Sequence, residues 1–174
     1  MRDHKIFVDG NYTFRPHELG LNNKLIDYVK LVDVISGGDT EAKAIFYSCV
    51  EETPKSKQID FLHMLRRNGF QVKTKKLAPR ISDVVNNDLK PLIITDIMAA
   101  VMNGIKKITL VSGDQEYAYV LQKLVDMDVI IHVVGFEKSI SPKLIDLSDF
   151  TLKIEDAGVY IDKKPTSEEN PFLR

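Results

Sequence analysis

The sequence predicts an α/β fold: a three-layer, doubly wound, mainly parallel sheet with strand order about 3-2-1-4-5, counted along the chain. Three observations predict it. Strand-like and helix-like patterns alternate from residue 5 to residue 154, as in repeated βαβ units. The strands in "KIFVD", "KKITLVSGD" and "VIIHVVG" are short and almost wholly apolar, which suits a sheet covered on both faces. The chain has 174 residues, 44% hydrophobic and 28% charged, enough for one core and too few for two domains.

Taken in order, "KIFVD" (5–9) is the first strand. "NKLIDYVKLV" (23–32) places Leu25, Ile26, Val29 and Val32 at helical spacing. Gly37-Gly38-Asp39 breaks the chain before a second strand, "AKAIFYSCV" (42–50). "SKQIDFLHMLRRNG" (56–69) is a helix stopped by Asn68-Gly69, and "FQVKTKKL" (70–77) alternates as a strand with one wet face. Residues 78–90 read as a loop. "PLIITDIMAAVMNG" (91–104) is a helix opened by proline and closed by glycine. A strand over 106–114 runs into an amphipathic helix, 115–128, and then a buried strand, 129–135. A short helix from Ser141-Pro142 and a last strand over 149–154 follow. The domain is expected over 1–160, with 161–174 a polar C-terminal tail.

Twenty-four basic side chains nearly cancel twenty-five acidic ones, so net charge names no partner. From Thr53 to Arg80, however, eight basic residues face one acid, Asp60. Such a stretch is either a solvated face or a phosphate-attracting patch. Cys49 is the only cysteine, which excludes an internal disulfide, and it reads as a buried side chain. With no apolar run of signal or membrane length, the expectation is a cytoplasmic protein with no membrane partner. The four histidines show no metal-ligand spacing.

The predicted strand order reverses between the first and fourth strands, and ligands of such sheets bind at the carboxyl edge of that crevice. Asp9 ends the first strand and Asp114 the fourth, so they should face one another. Carboxylates gathered in a cleft repel, and a divalent cation, Mg²⁺ or Mn²⁺ for hard oxygen ligands, relieves this. Glu116 opens the next helix, and Asp96 lies among apolar residues in "IITDIM". Each acid has a bland alternative: a turn at Asp9, an N-cap at Asp114, an ion pair at Asp96.

"IFVDGN", "TDIM" and "ITLVSGDQEYAYVLQKLVDMDVIIHVVG" resemble the NYN domain of the LabA-like group, a branch of the PIN-like nuclease superfamily with a Rossmannoid fold. The resemblance spans about residues 5–154. It implies a metal-dependent endoribonuclease hydrolysing RNA phosphodiesters, with Asp9, Asp96 and Asp114 as catalytic metal ligands. Glu116 stands where the family usually has a second aspartate, and would hold the metal through water or orient the nucleophile. Two positions depart from the pattern. Tyr12 stands where an asparagine is frequent, with Asn11 one place earlier. Lys90 stands where many members carry another aspartate, the nearest acid being Asp88. Lys90 would neutralise the acids in place of a metal or contact the scissile phosphate.

The implied partner is RNA, single-stranded or structured, contacted by Asn11, Tyr12, Lys76, Arg80, Lys90 and Ser112. Tyr12 and Phe14 would stack on unpaired bases. The competing reading is a catalytically impaired NYN domain acting as an RNA-binding or scaffold module, and a homodimer is compatible with either. An aspartyl-phosphate phosphatase would need an acid at position 11, which is asparagine. A receiver domain would carry its phosphoacceptor where Lys75-Lys76 stand, and no G-x-G-x-x-G follows the first strand.

Overall fold

Strand β1 (His4–Asp9) and helix α1 (Gly10–Thr13) open a chain in which β3 (Lys43–Val50), α3 (Ser56–Arg67), β4 (Gln71–Lys76) and α4 (Lys90–Met102) alternate. Before them come β2 (Lys24–Ile26) and α2 (Tyr28–Ser36). After them come β5 (Lys107–Val111), α5 (Ala118–Val125), β6 (Ile130–Gly135), α6 (Pro142–Leu147), β7 (Phe150–Lys153) and β8 (Tyr160–Asp162). The structure is a computed structural model that describes residues 4–14, 24–77 and 88–162.

Six strands form one parallel sheet in the order β4-β3-β1-β5-β6-β7. This is the expected order with the last strand added at an edge. The direction of winding reverses between β1 and β5, so the switch point lies there. Pleating sends Phe7 into one core and its neighbours Ile6 and Val8 into the other. Ile93 and Ile97 of α4 and Leu121 and Leu124 of α5 cover the first face. Leu31 of α2 and Leu62 and Leu65 of α3 cover the second. The result is the expected three-layer architecture.

Local structure departs from expectation in five places. Residues 24–26 are a strand and not the start of a helix, because they pair antiparallel with β8 in the register Leu25↔Ile161. Helix α2 therefore starts later, where the Asp27 side chain accepts from the Lys30 amide at 3.0 Å. The turn after β1 is a short helix, and the chain after β5 enters α5 through a 3-10 turn at Gln115–Tyr117. β8 runs to Asp162, past the expected domain boundary, and Cys49 is half-buried where full burial was expected. His4 is a core histidine, its Nε2 2.9 Å from Thr109 Oγ1.

Candidate functional site

At the switch point, Val8 lies level with Val111, which brings Asp9 beside Ser112 where the two strands end. Asp9 is only 4% exposed. Its Oδ2 accepts from Tyr117 Oη at 2.9 Å and Ser112 Oγ at 3.4 Å, and its Oδ1 from the Tyr12 amide at 3.2 Å. Burial pushes this carboxyl above its ordinary value of 3.8; the Tyr117 and Tyr12 hydrogen bonds and the Lys90 charge offset only part of it. The same Ser112 hydroxyl accepts from the Asp114 amide at 3.4 Å, so one hydroxyl joins both aspartates. Each also caps the turn it opens, Asp9 through the Tyr12 amide and Asp114 through the Glu116 amide. Capping and clustering are compatible, and the structure has both.

Lys90, at the start of α4, places Nζ 3.2 Å from Asp114 Oδ2, 3.3 Å from Asp88 Oδ1 and 3.3 Å from Glu116 Oε2. Partial burial works against its charge. The Asp114 hydrogen bond, the charges of Asp114 and Asp88 and the Glu116 hydrogen bond outweigh burial and hold the ammonium above the lysine range. Its own amide donates to Asp88 Oδ1 at 3.0 Å, which fixes the entry of α4.

Asp96, on the face of the sheet that α4 covers, is held toward β3 and β4. Its Oδ2 accepts from Tyr47 Oη and from Lys73 Nζ, each at 2.7 Å. This satisfies a carboxylate in an apolar helix by an ion pair, one of the alternatives open in the sequence. Among the described residues, no group of three or more His, Cys, Asp or Glu is placed to hold a metal ion. The expected Asp9–Asp96–Asp114 set is therefore not assembled. Asp96 is turned to Lys73 and Tyr47, Asp9 is buried among hydroxyls, and Asp114 is engaged by Lys90. The donor set as arranged does not fit a divalent cation, because the ammonium stands among the carboxylates that one would need.

The expected RNA contacts separate similarly. Tyr12 is 6% exposed; its hydroxyl accepts from the Phe136 amide at 2.9 Å and lies 2.6 Å from Ser139 Oγ. It cannot stack on a base without unfolding this corner. Ser112 is fully buried, and Phe14 packs edge-on against Tyr28, Phe46 and Phe61. Asn11 lies at the edge, its amide directed at Cys49 Sγ. Lys76 is exposed at the end of β4, while Arg80 lies outside the described residues.

Nor is the basic stretch one patch. Lys73 is paired with Asp96, Lys75 bonds the Asp88 carbonyl at 2.9 Å, and Arg66 and Arg67 lie in the last turn of α3. Because α3 runs back across the sheet, those arginines sit at its amino edge. Lys55 and Lys57 remain at the carboxyl edge, where they line, with Cys49, Glu51, Gln58 and Leu77, a cavity of about 330 Å³.

Sequence reasoning missed Tyr47, Lys73 and Tyr117, the donors that satisfy Asp96 and Asp9. Alternation along β4 marked Lys73 as a face residue, but nothing local named Asp96 as its partner.

A search of curated proteins finds no match to this chain. Among solved structures, the chain is similar to the crystal structure of a protein of unknown function from Vibrio parahaemolyticus RIMD 2210633. The two share 22% identity at a TM-score of 0.77, over 91% of this chain and 96% of the other, which is a likeness of fold. Among the described residues, no helix is long and apolar enough to cross a membrane. The family model of the NYN domain matches residues 4–155, nearly the whole described fold and every acid of the site, and the chain belongs to the NYN domain family.

Proposed function

We propose that this NYN domain is an RNA-binding module that engages single-stranded RNA along the carboxyl edge of β3 and β4, without metal-dependent cleavage. One observation carries the reading. The acids of the site are each satisfied by protein donors, with Lys90 the cation of Asp88, Asp114 and Glu116. One ammonium against three carboxylates leaves the pocket net negative, so it repels a phosphate and does not draw in the scissile one. The backbone of the RNA instead follows Lys55, Lys57 and Lys76, of which Lys55 and Lys57 line a cavity wide enough for a sugar-phosphate unit and Lys76 precedes its Leu77. NYN domains belong to the PIN-like nuclease superfamily, which makes RNA the natural ligand class.

Fluorescence anisotropy with a labelled single-stranded RNA tests this. Three lysine–phosphate contacts give a slope of log affinity on log salt of about −2. Replacing Lys55 and Lys57 by alanine reduces its magnitude by about 1.4. A slope unchanged by that double substitution rejects the assigned surface.

A second reading, a Mg²⁺- or Mn²⁺-dependent endoribonuclease, is favoured by the way Ser112 joins Asp9 and Asp114 at the switch point. It predicts RNA cleavage in Mn²⁺ that EDTA abolishes and Asp114→Asn removes. Such cleavage overturns the binding-module reading.

A further inference from the structure

We propose that Lys90 is a tethered counter-cation that excludes divalent metal from the pocket of Asp88, Asp114 and Glu116. This deepens the binding-module reading and rests on it.

Lys90 occupies an unfavourable place for a cation. It is the first residue of α4, where the helix dipole favours negative charge. Only 21% of its side chain is exposed, so its ammonium has also given up part of its hydration. What compensates is three carboxylates at 3.2–3.3 Å, from the approach to α4 and from the turn after β5. Two neighbouring lysines are engaged elsewhere: Lys73 serves Asp96 and Lys75 serves the Asp88 carbonyl. An ammonium with three donors and a hexa-aquo-derived Mg²⁺ or Mn²⁺ both satisfy a ring of oxygens, and the two compete for the same volume.

The geometry also says what removal of the lysine does. Oxygens that surround Nζ at 3.2–3.3 Å must each close by about 1 Å to reach the ~2.0–2.1 Å of a Mg²⁺ ligand. Glu116 and Asp88 are 68% and 41% exposed, so rotamer changes supply that movement without a backbone shift. Without Lys90 the three acids repel one another, and cation capture relieves the repulsion.

The experiment is a Mn²⁺ titration followed by the electron paramagnetic resonance of free Mn²⁺, at neutral pH and without RNA. It uses the unmodified chain, Lys90→Gln, Lys90→Asp and the double variant Lys90→Asp/Asp114→Asn, each checked for fold by circular dichroism. The unmodified chain is expected to leave the free-ion signal unchanged at millimolar Mn²⁺. Lys90→Asp should deplete it with affinity higher by on the order of tenfold or more, and the double variant should lose that gain. Depletion by the unmodified chain equal to that by Lys90→Asp overturns the proposal. So does absence of depletion by both folded Lys90 variants. If Lys90→Asp does not fold, Lys90→Gln, a shorter but neutral polar side chain that removes the ammonium, decides the outcome. Because no RNA is present, this result is independent of the anisotropy measurement, which alone tests the binding surface.

Discussion

Asp9 carries the sharpest conflict in the molecule, a carboxylate at 4% exposure whose nearest partners are hydroxyls and an amide. Burial raises its pKa, so the folded state binds its proton more tightly than the unfolded state does. Its contribution is therefore fully present below the ordinary value of 3.8 and is lost as pH rises through the folded pKa. Asn at this position keeps the Oδ1 acceptor, and its NH₂ donates to Tyr117 and Ser112, whose hydroxyls can turn to accept. Urea unfolding should show Asp9→Asn gaining stability relative to the unmodified chain between pH 4 and pH 7. A constant difference across that range would mean that Asp9 stays ionised. The residue scale also separates what looked alike in the sequence. Asp9, Asp96 and Asp114 were three equivalent candidates, yet Asp9 is satisfied by hydroxyls and an amide, whereas Asp96 and Asp114 each take a lysine ammonium.

At the scale of elements, the turn between β5 and α5 is held by close packing. A Cβ on Gly113 would lie 2.5 Å from both the Ser139 carbonyl oxygen and Tyr12 Oη, and 2.8 Å from Ile140 Cα. Two of these atoms are backbone, so the neighbours cannot swing away. Gly113→Ala should cost about 1–3 kcal/mol in denaturant unfolding. It should also displace the Tyr12 hydroxyl from the Phe136 amide, visible as a shift of that amide in an NMR spectrum. The glycine in "SGD" was readable as a turn signal. That a tyrosine from α1 fills the space beside it was not, because the contact joins residues a hundred positions apart.

Across the whole molecule, stability is uneven. The central strands β1 and β5 are buried on both faces, whereas the β2–β8 pair has three residues a side and leaves Leu25 and Ile161 exposed. Native-state hydrogen exchange should therefore protect the amides of residues 6–8 and 108–111 most strongly. Those of β2 and β8 should exchange fastest among the strands, through local opening. Equal protection in both sheets would contradict this. Alternating periodicities, apolar strands and proline and glycine punctuation by themselves determined the layers, the strand order and the positions of Asp9 and Asp114 at one sheet edge, because those signals are local and the crossover rule is general. The β2–β8 pairing, the Lys73–Asp96 ion pair and the placement of Lys90 among three carboxylates were decided only by the tertiary structure. These contacts depend on where distant segments meet, and a side chain's partner is a matter of distance in space that no pattern along the chain encodes.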